Sequence, residues 1–105
     1  MSQSVTTTDG ERLPLIHPGE VLWEEFIEPL ELSVPRVSRD LGVRPRRIHD
    51  IIRGTRAITA DTALRLGLYF GTSPQFWMNL QTAFELRRAE QERGAEIEAE
   101  VRPLH

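Results

Sequence analysis

Residues 41–54 read LGVRPRRIHDIIRG, and this stretch decides the fold. Leu41-Gly42-Val43 predicts a tight turn between two helices. Pro45 suits the first turn of the second helix, where its missing N–H leaves no hydrogen bond unmade. Isoleucines at helical spacing then form an apolar face before a glycine stops the helix: Ile48, Ile51, Ile52 and Gly54. The stretch predicts a short helix over about residues 45–53, packed on a core through one side.

The polar side of this predicted helix is rich in arginine, at positions 44, 46, 47 and 53. Between Val34 and Arg56 seven arginines face two aspartates, a net charge of +5, whereas six arginines and fourteen acids elsewhere give −8, in agreement with the overall −3. Phosphate responds to the local field more than to net charge. We interpret the patch as a surface that reads the DNA major groove. The alternative interpretation is a merely solvated helix surface.

Capping residues predict where the other helices begin. Ser33 precedes a second helix over Val34 to Leu41, Thr59 precedes a fourth over Ala60 to Phe70, and Ser73 precedes the last. Gly71 is expected to end the fourth helix. The first helix opens at His17-Pro18-Gly19-Glu20, with Pro18 at its first position, and Pro29 ends it near Glu28.

The apolar spacing predicts which side chains these helices bury. In the first helix the expected stripe is Leu22, Phe26 and Leu30, and in the second it is Val37 and Leu41. The fourth and fifth helices are expected to bury Ala63, Leu64, Leu66, Phe70, Phe76, Trp77, Leu80, Phe84 and Leu86. Beyond Arg87 the chain is rich in Glu and Arg, and Gly94 is expected to interrupt an exposed, fraying end.

Five helices and no convincing strand predict an all-α domain in which the second helix, the glycine turn and the third helix form a helix-turn-helix. We expect a flexible arm over residues 1–14, the DNA-binding domain over residues 15–88 and a charged helical extension over residues 89–105.

Several classes of protein find no support. The chain has no cysteine, no apolar run that could span a membrane and no signal-peptide start, so we expect a cytoplasmic protein. The histidines at 17, 49 and 105 lack metal-ligand spacing, and there is no glycine-rich phosphate loop. We therefore expect no enzyme, no catalytic residue, no metal and no cofactor.

Beyond the helix-turn-helix, the chain resembles the HigA antitoxins, a family within the phage-repressor-like (lambda-repressor-like) helix-turn-helix proteins. The resemblance covers roughly residues 16–88. It is carried by His17-Pro18-Gly19-Glu20, Glu28-Pro29-Leu30, Leu41-Gly42-Val43, Arg53-Gly54-Thr55-Arg56-Ala57-Ile58-Thr59, Asp61-Thr62-Ala63-Leu64-Arg65-Leu66, Phe70-Gly71-Thr72-Ser73-Pro74 and Trp77-Met78-Asn79-Leu80-Gln81. The opening and closing blocks are not general features of helix-turn-helix domains.

This resemblance implies a homodimer that binds a palindromic operator in its own promoter, and a small RelE-like (HigB) toxin held inactive by the antitoxin. In similar repressors, contacts come from positions that correspond to Arg44, Pro45, Arg46 and Asp50. Arg46 is then the best candidate for a bidentate guanine contact, and Pro45 can offer only van der Waals contact. Asp50 can accept from a cytosine amino group or orient Arg46 or Arg47, and we favour orientation.

The remaining arginines of the patch suit phosphate contacts: Arg36, Arg44, Arg47, Arg53 and Arg56. For Arg53 and Arg56 a salt bridge or a helix cap is an equal alternative. His49 is expected to be exposed at the edge of this face. Trp77, Met78 and Phe84 are candidate residues for a dimer surface within residues 74–88.

The sequence is compatible with two rival functions: a stand-alone helix-turn-helix repressor without a toxin, and a protein-binding module that has lost DNA binding. The acidic surfaces around residues 20–28 and 85–100 are candidate docking sites for a basic toxin.

Overall fold

A computed structural model describes residues 15–104, and the predicted arm, residues 1–14, lies outside them. Helix α1 is an α-helical turn over Pro18–Val21 that continues as a π-helix over Leu22–Ile27. The others are α2 (Val34–Leu41), α3 (Pro45–Ile52), α4 (Ala60–Phe70) and α5 (Pro74–Glu100). The predicted all-α class with five helices is confirmed, and the described residues contain no strand.

The predicted caps set the helix boundaries. The hydroxyls of Ser33, Thr59 and Ser73 accept from backbone N–H groups three residues on, at 3.2, 3.4 and 3.1 Å. Each satisfies a donor that the first helical turn leaves without a partner. Gly42 (φ 77°) and Gly71 (φ 78°) take left-handed backbone at the ends of α2 and α4, which favours glycine there.

Trp77 of α5 lies at the centre of the core, with no exposed surface, and its indole N–H donates to Thr72 Oγ1 at 2.7 Å. Its ring packs 5.1 Å from that of Phe26 of α1. Buried isoleucines and leucines of α1 to α4 and of the loop before α4 belong to the same core, namely Leu22, Ile27, Leu41, Ile48, Ile51, Ile58 and Leu66. The core thus fixes α3 against the rest of the domain through its apolar side.

The expected burial of Leu30 is wrong, because α1 widens. The N–H of Glu28 donates to Trp23 O at 2.9 Å and that of Leu32 to Ile27 O at 3.0 Å, five residues back in each case. A π-helical register moves the buried position from every fourth to every fifth residue. Leu22 and Ile27 are therefore fully buried, Phe26 is partly buried, and Leu30 is 59% exposed.

Two further burial predictions are wrong. Leu64 is 56% exposed, because α4 buries the face formed by residues 62, 63, 66 and 67, and Leu86 of α5 is 60% exposed. Phe76, 37% exposed, packs its ring 5.0 Å from that of Trp77 and 6.2 Å from that of Phe26. The expected interruption at Gly94 is wrong as well, since α5 continues to Glu100. Arg93 pairs with Glu96 (2.9 Å) and Glu100 (3.9 Å) across that stretch. Such pairs partly offset the cost of about 1 kcal/mol that a helical glycine carries.

Between residues 15 and 104, no helix combines the length and apolar character that crossing a membrane requires.

Candidate nucleic-acid interface

The turn between α2 and α3 presents the arginine-rich side of α3 to solvent. The N–H of Val43 donates to Ser38 O at 3.0 Å, which closes the end of α2, and Arg44 then starts α3 in extended backbone. Ile48 and Ile51 are fully buried beneath the helix. The side chains of Arg44, Pro45, Arg46 and His49 are therefore exposed, as expected for His49, and Arg47 and Asp50 are half-buried.

Four of the predicted contact residues converge on one surface depression. A shallow cavity of about 370 Å³ is lined by the turn residues Gly42 and Val43 and by four arginines, Arg44, Arg46, Arg47 and Arg56. Arg44 forms no ion pair with any residue in the described range 15–104. The arginines come from the turn, from α3 and from the loop after α3. This arrangement offers guanidinium donors to an anionic ligand along one exposed edge.

Asp50 contacts three arginines of this face. Its Oδ1 pairs with Arg53 at 2.6 Å, and its Oδ2 lies 3.7 Å from Arg46 and 3.8 Å from Arg56. The favoured orienting role thus has a geometric basis for Arg46, but Arg47 is not a partner of Asp50. Arg53 and Arg56 thus form, in the absence of DNA, the salt bridges that were the alternative to phosphate contacts.

Arg47 is held by α4 instead. Its guanidinium donates to Asp61 Oδ1 at 3.0 Å, and the same oxygen accepts from Arg65 Nε at 2.7 Å. Hydrogen bonds from Arg65 and Arg47 hold the pKa of Asp61 below its ordinary value. Arg65 also donates to the carbonyl of Leu41 at 2.8 Å, at the end of α2. This network ties the groove face to both neighbouring helices.

Asp61 and Arg65 were not among the predicted site residues. Their spacing of four on a helix indicates an ion pair in the sequence, but nothing in the sequence indicates that Arg47 joins it from another helix. Arg36 lies apart from these networks on α2, with its side chain 60% exposed and 3.5 Å from Asp40. The hydroxyl of Tyr69 donates to the same oxygen of Asp40, Oδ2, at 2.7 Å. Burial, followed by the bond to Asp40, raises the pKa of Tyr69.

His17 is the buried N-cap residue of α1. Its Nδ1 accepts from the N–H of Gly19 at 2.9 Å, which caps α1, and its ring meets Phe84 edge-on at 4.8 Å. Burial lowers the pKa of His17, Glu20 opposes that shift, and Arg88 adds to it. The neutral imidazole is the form that can accept this bond. Among residues 15–104, no cluster of histidine and acidic side chains is arranged to hold a metal ion.

The three candidate dimer residues lie in different environments. Trp77 is fully buried in its own chain, so it has no surface to offer a partner. Met78 and Phe84 are half-buried, and Phe84 also packs under the guanidinium of Arg88 at 4.9 Å.

A helix-turn-helix with an arginine-lined edge on its second helix defines a DNA-binding regulator by class. No protein-family model matches the chain. It is 52% identical over 81 residues to virulence-associated protein I of Dichelobacter nodosus, a match that covers 77% of this chain and 75% of the relative.

Two solved structures are similar to this chain in both fold and sequence. Antitoxin HigA of Pseudomonas aeruginosa, solved with the higBA promoter, is 46% identical with a TM-score of 0.85, over 88% of this chain and all of that one. An addiction-module antidote protein of the HigA family from Coxiella burnetii is 44% identical with a TM-score of 0.83, over 87% of this chain and 99% of that one. The chain belongs to the HigA antitoxin family.

Proposed function

We propose that this chain is the antitoxin of a type II toxin–antitoxin pair, which represses its own operon and neutralises a RelE-like toxin by direct binding. The convergence of Arg44, Arg46, Arg47 and Arg56 on one exposed edge of the helix-turn-helix carries the DNA-binding half of this proposal. Membership of the HigA family supports the antitoxin half. A cytoplasmic location is part of this proposal, because operator DNA is bound there.

In the proposed complex α3 enters the major groove. Arg46, whose side chain is 82% exposed, reads a guanine edge, and Pro45 contacts a base through van der Waals interactions. Phosphate contacts come from the surrounding arginines, namely Arg36, Arg44, Arg47, Arg53 and Arg56. Those that are already paired with Asp50 or Asp61 share their donors between carboxylate and phosphate.

A homodimer places two such helices about 34 Å apart, one turn of DNA. Met78 and Phe84 are retained in the proposed dimer surface because they keep some exposed area. Phe76 of the same helix, 37% exposed, is added to them, whereas Trp77 supports this surface from within the core.

Co-purification from the native locus tests the toxin half of the proposal. A stoichiometric basic partner whose expression alone stops growth is the expected result. Recovery of this chain by itself, still bound to its own promoter DNA, would instead establish the alternative, a stand-alone helix-turn-helix repressor.

A further inference from the structure

Asp50 faces three guanidinium groups with one carboxylate. The partners are spread along the interface: Arg46 one turn before it on α3, Arg53 just after α3, and Arg56 in the following loop. Only 15% of the Asp50 side chain is exposed, against 82% for Arg46, 64% for Arg53 and 48% for Arg56. The carboxylate is therefore an inner group, and the arginines form the outer surface that a ligand meets.

Oδ1 of Asp50 accepts a hydrogen bond from Arg53, and Oδ2 lies at ion-pair distance from Arg46 and Arg56. Because only 15% of its side chain is exposed, Asp50 is poorly placed to accept a hydrogen bond from a base. The backbone carbonyl oxygen of Asp50 accepts two further hydrogen bonds, from the N–H of Thr55 at 2.9 Å and from its hydroxyl at 3.1 Å. The backbone on the C-terminal side of Asp50 is fixed, so the carboxylate is a firm anchor for the three side chains.

A half-buried carboxylate among arginines has two effects on DNA binding. It acts as an internal counterion, which reduces the attraction for any phosphate backbone. It also restricts the long, exposed Arg46 side chain, whose rotamer freedom must otherwise be lost when DNA binds. The first effect weakens binding to all sequences, and the second favours the sequence that matches the fixed direction of the guanidinium fork.

We propose that Asp50 is a positioning residue that sets the sequence specificity of this chain by aiming Arg46, while its charge lowers the affinity for all DNA alike. This inference rests on the proposed DNA-binding function. It assigns no base contact to Asp50 itself. The device requires Arg46 to remain within reach of Oδ2, as the distance of 3.7 Å allows.

The test compares Asp50→Asn with Asp61→Asn on two labelled duplexes, one from the region upstream of the gene and one with the same bases shuffled. Asp61 is the matched control, because it also pairs with two arginines, Arg47 and Arg65, but does not touch Arg46. Affinities are measured over a range of salt concentrations, and melting temperatures report whether each variant is folded.

Loss of either carboxylate is expected to tighten binding to the shuffled duplex and to steepen its salt dependence by about one charge. Only Asp50→Asn is expected to lower the ratio of upstream to shuffled affinity, by about fivefold to tenfold. In an Arg46→Ala background, Asp50→Asn should leave the remaining ratio unchanged, because there is no Arg46 side chain left to aim.

The positioning role is overturned if both aspartate variants keep the wild-type ratio, or if Asp50→Asn lowers it equally with and without Arg46. A wild-type protein that binds both duplexes alike would instead refute the proposed operator binding, and this inference with it. Asp50→Glu keeps the charge on a longer stem and should lower the ratio with a smaller change in salt dependence. If Asp50→Asn does not fold, the ratio measured for Asp50→Glu decides.

Discussion

Gly19 of α1 lies directly against the carbonyl of Ile51, near the end of α3. A Cβ on Gly19 would overlap the Ile51 oxygen and would come within 2.9 Å of the Ile52 Cα. Real Cβ atoms do not approach backbone this closely, so only glycine allows α1 to pack here. The contact fixes the end of α3 from below, opposite the arginines, which gives the His-Pro-Gly-Glu opening a physical role in orienting the groove-facing helix.

Gly19→Ala should therefore destabilise the fold by about 2–4 kcal/mol, since the backbone of α1 or α3 must shift to admit the methyl group. Gly94→Ala is the matched control, because Gly94 is also helical and its added Cβ would meet only Glu90 Cβ, at 4.0 Å. That change should stabilise the fold by about 0.5–1 kcal/mol. Urea unfolding measures both, and equal effects would refute the close approach.

The stability of the fold should fall in mild acid because of His17. Burial lowers the pKa of His17 from its ordinary 6.5, so the unfolded chain takes up this proton at a higher pH than the folded chain does. The contribution is complete above pH 6.5 and is lost as pH falls through the lowered pKa. His17→Asn, which keeps an acceptor for the Gly19 N–H without this titration, should flatten the profile of unfolding free energy between pH 8 and pH 5. His49→Gln, at an exposed position, should leave the profile as in the wild type.

Gln81 connects α5 to the loop that carries Arg56. Its Oε1 accepts from the N–H of Ile58 at 2.8 Å, and the side chain is 5% exposed. Gln81→Met should cost about 1–3 kcal/mol, because the buried Ile58 N–H loses its partner. Gln75→Met, at an exposed position of the same helix, should change the unfolding free energy by less than about 0.5 kcal/mol. Equal losses in the two variants would contradict the assigned bond.

Arg44 should act on DNA affinity without choosing a sequence. It forms no ion pair within residues 15–104, so its guanidinium is available to phosphate. Arg44→Ala is expected to weaken binding to upstream and shuffled duplexes alike and to reduce the salt slope by about one charge per chain. Fluorescence anisotropy at several salt concentrations measures both. A loss confined to the upstream duplex would assign Arg44 to base reading instead.

The sequence predicts the helix boundaries well because caps and glycines act locally. Ser33, Thr59 and Ser73 each satisfy a donor three residues away, and Gly42 and Gly71 take the backbone that other residues avoid. The exposure of Leu30 could not be predicted, because the pattern of apolar residues does not indicate that α1 widens into a π-helix. The prediction that Leu64 is buried was wrong for a related reason. An apolar residue near the edge of a helix face can be either buried or exposed.

The candidate site shows the same division. The sequence of one short stretch predicts which arginines lie on the turn and on α3. It also predicts the Arg46–Asp50 pair, because the two residues are four apart on a helix. The bond between Arg47 and Asp61 joins two helices, and the burial of His17 under Phe84 joins residues that are far apart in the chain. Such contacts depend on tertiary packing. They determine which arginines already have an acidic partner in the absence of DNA.

A base-by-base affinity scan measures whether α3 reads bases through Arg46. Wild type and Arg46→Ala are titrated against the upstream duplex and against variants of it that differ at one base pair each. For Arg46→Ala we expect a loss of about 1–3 kcal/mol on the native duplex and relaxed discrimination at one base pair, repeated in each half-site. Equal loss on every duplex, shuffled DNA included, would contradict it.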